Sequence, residues 1–463
     1  MLTNNLSQKN ECDSEVQNDD NREGRLAAGI GTFVDYFKDG ASTTADFKMG
    51  FELEQIIVDT SGYSVPYSGV VGAPGTRGCL EGKGCTITAI LERLSPLYDK
   101  EIRADKNDPS SPLLGLSRSD ATITLEPGAQ FEFSSQPFWK LQELIDSFEK
   151  YQNELTKITG DFNYLPLAIG YHPRTKVADI TILPKERYNM MNAHFKDTGN
   201  HGMNMMRGTA STQVTIDYSD QADAIVKMRV AAALTPLFSL LTDNAPYFEG
   251  ELVKDYIKRT TIWNDVDPDR SMIPPGLFAD GYDFIDYAKT ALTAPIILFD
   301  QGDEVSYAGQ KGAIDCYDID ALTQEDIEHI LSMLFFDVRL RNYVEIRTAD
   351  SMSFPYALAY VALIKGLFYD EANLRELSKR FSHFTDNCVP AIKTAIIGNG
   401  YNADVEAYYG ESVQSALNTL LTRAKDGLLR LSPDEVGAFE AEALDVFLPL
   451  IEDKTTLARE LQK

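Results

Sequence analysis

The feature that most restricts how this chain can fold is a set of four short segments in which acids or amides alternate with apolar residues. Phe51-Glu52-Leu53-Glu54, Gln130-Phe131-Glu132-Phe133-Ser134, Thr212-Gln213-Val214-Thr215-Ile216-Asp217 and Tyr343-Val344-Glu345-Ile346-Arg347 all keep a two-residue period. A strand turns successive side chains to opposite faces, so each segment reads as a strand with one apolar and one polar face. A half-buried sheet whose polar face meets water accounts for any one of them alone. Solvated faces, however, are rich in Lys, Thr and Ser, whereas these carry Glu52, Glu54, Glu132, Gln213 and Glu345. Carboxylates gathered on one sheet face repel one another, and oxygen donors of this kind suit Mg²⁺, with Mn²⁺ as an alternative. Arg347 adds a fixed positive charge beside Glu345, suited to a phosphate. Carboxylate-held magnesium with an arginine is the apparatus of phosphoryl transfer from a nucleotide.

The expected fold is therefore α+β, an antiparallel active-site sheet forming a funnel, flanked by helices. The 463 residues carry 43 Lys+Arg against 70 Asp+Glu, a net charge of −27. So acidic a surface repels phosphate backbones and anionic lipid, which argues against nucleic acid and membrane as partners and for small-molecule substrates. Residues 1–22 read as a disordered acidic leader without a signal- or transit-peptide pattern. Residues 23–463 read as a single catalytic domain whose part from about residue 323 to 463 is mainly helical. The most apolar run, Val230 to Leu241, has 12 residues, too few to span a bilayer. Five scattered cysteines fit a reducing compartment, and the expected location is cytoplasmic. Monomer and homodimer both remain open.

Capping signals place several helices. Thr323 with Asp326 caps a helix through Ile327, Ile330, Leu331 and Leu334; Ser432-Pro433-Asp434-Glu435 reads as a second N-terminus, with Pro433 at the first helical position. A third helix starts after the Pro137–Trp139 turn and carries Leu141, Leu144, Ile145 and Phe148. Gly78-Cys79-Leu80-Glu81-Gly82-Lys83-Gly84 is one residue short of a phosphate-binding loop and has Gly84 where Ser or Thr belongs. Cys79 within it and Cys85 just after it are near enough in sequence to pair under oxidation. His194, Asp197 and His201 lie in a stretch that reads as a loop, a poor frame for zinc.

Several ordered segments together resemble a known family. They are Gly50 to Glu54; Leu125-Glu126-Pro127-Gly128-Ala129-Gln130-Phe131-Glu132; Ala168 to Pro173; Leu183-Pro184-Lys185-Glu186-Arg187-Tyr188; Met205-Met206-Arg207-Gly208-Thr209 leading into Gln213 to Asp217; Arg259 with Trp263 and Asp265; and Phe336 to Arg347. The chain resembles the plant-type glutamate–cysteine ligases, which plants share with many bacteria, within the carboxylate–amine ligases with a glutamine synthetase-like active-site sheet.

The resemblance implies an ATP-dependent ligase: the γ-carboxylate of L-glutamate takes the γ-phosphoryl of ATP, and the amine of L-cysteine displaces phosphate from γ-glutamyl phosphate, the first step of glutathione biosynthesis. By likeness Glu52, Glu54, Glu126, Glu132, Gln213 and Glu345 hold magnesium and through it the phosphates, with Glu52, Glu345 and Arg347 catalytic and Arg347 and Gln213 serving ATP. Arg207, Arg259 and Trp263 take the substrate, Arg259 through a carboxylate. The chain departs from the expected pattern after Ala294-Pro295, where Ile296-Ile297-Leu298-Phe299-Asp300-Gln301 replaces an aromatic- and arginine-containing strand near the acceptor pocket. A γ-glutamyl ligase for a different amine or amino acid is therefore the alternative. The Gly/Pro-rich stretch from Ser61 to Leu116 reads as a lid.

Overall fold

In a computed structural model the chain is described over residues 19–69, 86–105, 107–301 and 304–463. Residues 1–18 of the expected leader and the Cys79/Cys85 loop lie outside the described residues. The expectation of disorder does not hold for residues 19–22, because a helix, α1 (Asp19–Asp39), begins there.

Nine strands make up the principal sheet among the described residues: β1 (Met49–Asp59), β2 (Lys100–Arg103), β3 (Leu113–Ser117), β4 (Ala121–Leu125), β5 (Phe131–Ser135), β6 (Tyr164–Leu167), β7 (Ser211–Ile216), β8 (Val338–Leu340) and β9 (Val344–Asp350). Their order is β8-β9-β7-β1-β5-β4-β3-β2, with β6 paired to the far end of β1, and every pairing is antiparallel. The long β1 is central because its alternating first half can present acids to one face while Phe51 and Leu53 are buried on the other.

That apolar face is covered by helices. Phe148 on α2 (Leu141–Asp161) lies 5.2 Å from Phe133 between ring centroids and stacks on Phe354 at 4.1 Å. The Met- and Asn-rich stretch expected to be a loop is helical: α3 (Glu186–Thr198) and α4 (Gly202–Gly208). Its histidines are satisfied by acids from another segment, His194 by Asp267 at 2.9 Å and His201 by Asp265 at 2.7 Å. The apolar run at Val230 is the second half of α5 (Gln221–Leu241), which at 21 residues corrects the 12-residue estimate. It is long and apolar enough to cross a membrane, but 89% of the relevant window is buried inside the protein.

A short helix, α6 (Lys258–Trp263), precedes α7 (Gln324–Ser332), which starts with the expected capping box between Thr323 and Asp326. Then α8 (Phe354–Phe368) packs against α9 (Val413–Leu431). The next helix, α10 (Glu435–Glu442), is capped by Asp434 rather than Ser432. Ser432 is already committed as the terminus of α9, its N–H bonded to the Leu428 carbonyl, so the cap shifts two residues on.

A buried ion pair ties the sheet cover together: Lys365 Nζ of α8 lies 2.7 and 2.8 Å from the carboxylate oxygens of Glu440 in α10, with side-chain exposures of 0% and 1%. The same Glu440 accepts the first N–H of α2, from Leu141, at 3.1 Å. Removing one charge strands the other in the core, so Glu440→Gln is expected to cost about 3 kcal/mol in urea unfolding.

Candidate active site

Strand register brings the acids together. Glu54 of β1 stands opposite Glu132 of β5, Glu52 opposite Gln213 of β7, and Glu345 of β9 opposite Thr215. Residues directly opposite share a sheet face, so period-two alternation and antiparallel pairing are sufficient to assemble the cluster. Above it lies a cavity of ≈ 320 Å³. Glu52, Glu54, Glu126, Glu132, Gln213, Glu345, Arg347, Arg259 and Trp263 all line it.

Glu126 ends up there through a turn built by the segment Glu126-Pro127-Gly128-Ala129-Gln130. Ala129 adopts a left-handed φ of 65°, and its N–H donates to the Glu126 carbonyl at 2.7 Å. The Gln130 side chain accepts from Gly128 N–H at 2.8 Å and donates to the Thr209 carbonyl at 2.8 Å. A β-carbon on Gly128 would meet the Arg207 carbonyl oxygen at 2.5 Å, so only glycine lets the end of α4 pack against the turn.

Arg207, which the resemblance assigns to the substrate, is not among the cavity-lining residues. Its Nη1 donates to the Val177 and Ile180 carbonyls, at 3.2 and 3.1 Å, and its Nη2 to Asn192 Oδ1 at 2.6 Å, while its Nε is buried without a partner in the protein. Asp217, expected on the acidic face, lies beyond the end of β7 and accepts the Lys48 N–H at 2.7 Å. None of the described residues between Ser61 and Leu116 lines the cavity. Nor do the described residues of the departing segment, where Leu298–Gln301 pairs in a hairpin with Glu304–Tyr307.

Arg259 and Trp263 share one face of α6, the guanidinium 5.5 Å from the indole ring. Arg259 Nη1 donates to the Arg347 carbonyl at 3.1 Å, while its Nε and the Trp263 Nε1 are buried without a partner in the protein. Unmet buried donors on two cavity-lining side chains are what a site for an anionic ligand requires. The helix is entered through Ile257 at φ 46° and ψ 53°, a left-handed conformation that costs a β-branched residue ~1–3 kcal/mol.

Four basic residues that alternation on the acidic strands did not single out complete the cavity: Lys185 and Arg187 around the start of α3, Arg339 on β8 and Arg341 in the β8–β9 turn. Arg339 and Arg341 do carry a period-two signal in Val338-Arg339-Leu340-Arg341. Lys185 and Arg187 do not, because a helix start has no such period.

Burial raises the Glu345 carboxyl, but the bidentate Arg339, with Nε at 2.6 Å and Nη2 at 3.1 Å, and Arg347 at 3.2 Å overcome it and hold the group at about 2. Arg347 also donates to Gln213 Oε1 at 2.6 Å. Glu52 is pushed up to about 7 by burial and then by Glu345, with Arg347 and Arg339 opposing. Glu54 reaches about 7 through burial and Glu126, although Ser211 donates to it at 2.8 and 2.9 Å. Glu132 is raised well above the carboxylate range by burial and Glu52, and Glu126 is raised by burial with Lys185 and Arg187 opposing. Among the described residues no three acidic, His or Cys side chains form a preformed metal cage.

A cavity with opposed sets of carboxylates and guanidinium groups suits polyanionic reactants held at fixed positions. The protein is an enzyme of the ligase class. The chain belongs to glutamate–cysteine ligase family 2 (GCS2), whose sequence profile matches residues 48–399. It is 29% identical to the chloroplastic glutamate–cysteine ligase of Brassica juncea over 362 residues, 77% of this chain and 68% of that one. To the chloroplastic glutamate–cysteine ligase B of Oryza sativa subsp. japonica it is 29% identical over 366 residues, 76% and 71%. A solved glutamate–cysteine ligase of Francisella tularensis in complex with AMP has a TM-score of 0.48 and 12% identity, covering 88% of this chain and 82% of that one.

These relatives are chloroplastic, which overturns the cytoplasmic expectation. Sparse, scattered cysteines report a reducing environment and do not distinguish one reducing compartment from another.

The raised carboxyls make stability depend on pH. A carboxyl whose folded pKa exceeds its unfolded value, ~4.3, holds its proton more tightly in the folded chain, so folding loses stability as pH climbs through that window to the folded value. For Glu52 and Glu54 the window closes at about 7. Glu345 acts in the opposite sense, its contribution present above the unfolded value and lost only as pH falls through about 2. The ligand-free protein is therefore expected to melt at a lower temperature at about pH 8 than at about pH 5.5, with a smaller difference in Glu54→Gln.

Proposed function

We propose that the protein is an ATP-dependent ligase joining the γ-carboxylate of L-glutamate to the amine of L-cysteine through γ-glutamyl phosphate, the first step of glutathione biosynthesis. The observation that carries this is the meeting of Glu52, Glu132, Gln213, Glu345 and Arg347 with Arg259 in one cavity of a chain from this family. A γ-carboxylate oxygen attacks the γ-phosphorus of ATP, the bond to the bridging oxygen breaks, and ADP leaves. The neutral amine then attacks the acyl carbon, the carbon–oxygen bond breaks, phosphate departs, and the amine proton is released.

Arg347 serves the phosphates, positioned by its contacts to Gln213 and Glu345. Arg259 takes a glutamate carboxylate, using a guanidinium edge that has an unpartnered Nε. The acyl phosphate needs shielding from water more than it needs a general base.

The donor set fits magnesium. Glu52, Glu54, Glu126 and Glu132 are raised by burial, and for the first two and the last by neighbouring acids as well, which is the signature of too little positive charge close by. Magnesium commonly takes only one or two protein carboxylates and completes its shell with water and phosphate, so a preformed cage is not needed. Glu52 and Glu132 are the best donors, Glu54 and Glu126 flank them, and Glu345 and Gln213 share their oxygens with Arg339 and Arg347. Bound there, the cation supplies charge neutralisation of the phosphates.

Glutamate-dependent ADP release across a panel of amines tests the assignment: cysteine is expected to be the best acceptor, and its failure beside a successful amine establishes the alternative ligase instead. Glu52→Gln and Glu345→Gln are each expected to lower kcat/KM by ~10²-fold or more. Magnesium with a non-hydrolysable ATP analogue is expected to raise the melting temperature of the wild type at about pH 8 and to do so less in Glu52→Gln.

A further inference from the structure

The left-handed Ile257 is held by residues far from the cavity. The carboxylate of Asp243, which is itself buried, lies beside its backbone N–H. The Thr456 hydroxyl donates to Asp243 Oδ2 at 3.1 Å, and the Ala458 N–H to the Asp243 carbonyl at 2.9 Å. Arg459 grips the chain that leads into Ile257. Its guanidinium donates to the carbonyls of Val253 at 3.0 Å and Asp255 at 3.1 Å and also to that of Lys254, and it packs 4.6 Å from the Tyr256 ring. Gln462 adds bonds to the Pro246 and Val253 carbonyls at 2.9 and 3.0 Å. Residues 456–462 thus form a strap over residues 243–257, and the next element is α6 with Arg259 and Trp263.

An isoleucine has no intrinsic preference for the left-handed region, so the conformation persists only where the surroundings over-determine it. Here Asp243 lies at the Ile257 amide on one side, and on the other Arg459 holds the carbonyls of residues 253–255. A register change at Ile257 would rotate the start of α6 and carry the Arg259 guanidinium away from the cavity, while leaving the acids on the sheet untouched. The strap lies outside the residues matched by the family profile, 48–399, so family membership does not imply it.

We propose that Arg459 and Thr456 are positioning residues for Arg259: the strap they anchor holds Ile257 left-handed and thereby aims the substrate end of the site without touching its nucleotide end. This rests on Arg259 taking a carboxylate of glutamate. In the full-length chain, Arg459→Ala is expected to raise the KM for glutamate ~10-fold or more while the KM for ATP stays within about twofold, since displacing one positioned group penalises only the ligand it meets. Arg459→Lys is expected to recover part of the loss, because an ammonium still reaches one carbonyl.

Thr456→Val removes one hydroxyl at constant shape and is expected to give the same split at smaller size; it decides the matter if Arg459→Ala does not fold. Equal changes in both KM values, or an unchanged KM for glutamate in both folded variants, would overturn the proposal. These are measured against a wild type that forms the dipeptide. A wild type with no glutamate-dependent ADP release instead sinks the ligase assignment, and then the strap stands or falls on hydrogen exchange at the α6 amides, which must quicken in Arg459→Ala.

Discussion

The structure depends on keeping five carboxylates on one side of a sheet without letting the sheet come apart. Each of Glu52, Glu54, Glu126 and Glu132 is raised by its loss of water, and the remaining one, Glu345, escapes only because two guanidinium groups hold it. Charges so placed would spread apart if the backbone allowed it. The backbone does not allow it, because the opposite face is locked by Phe51, Phe133, Phe148 and Phe354 in one aromatic layer. Apolar packing on one side thus fixes the acids on the other.

How much of this is visible in the sequence follows from which interactions are local. Alternation with period two is a property of consecutive residues, so Glu52, Glu54, Glu132, Gln213 and Glu345 could be placed on a common face before any coordinates. That they share one cavity also needs register, which Glu54 opposite Glu132 and Glu52 opposite Gln213 supply and which no segment contains by itself. Arg259 and Trp263 came from family resemblance together with their one-turn spacing. The resemblance assigns Arg207 to the substrate; its segment abuts the site through its backbone at Gly128, while its Nη atoms turn to Asn192 and two carbonyls. The histidine-bearing stretch, rich in Met and Asn, reads as a loop in the sequence. What fixes it as helix is tertiary, the acids Asp265 and Asp267 that meet His201 and His194.

Both halves of the cavity are supported, but by different means. The sheet half is a ladder with many redundant hydrogen bonds, whereas the half carrying Arg259 is a six-residue helix reached through a strained residue. A helix that short has little stability of its own. Its orientation comes from packing on α4 and on residues 388–399 and from the chain before it, which is tied down by carbonyl contacts from residues about two hundred positions away. The expected helical part therefore contributes more than a cover, since its last described residues act on the entry to α6.

The net charge of −27 argues only against polyanionic partners, and it is the acids on alternating strand positions that call for cations. The cavity does not share that excess: Lys185, Arg187, Arg259, Arg339, Arg341 and Arg347 line it, six bases against five acids. Burial raises the carboxyls of four of those acids, Glu52 and Glu54 to about 7. Such a cavity attracts triphosphate and dicarboxylate while the rest of the surface repels other polyanions. On the proposed ligase reading, phosphates arriving with magnesium change the balance, because a cation shared by carboxylate and phosphate favours the ionised form of both. The raised acids then give up their protons as the nucleotide brings the metal, so that metal and nucleotide bind together.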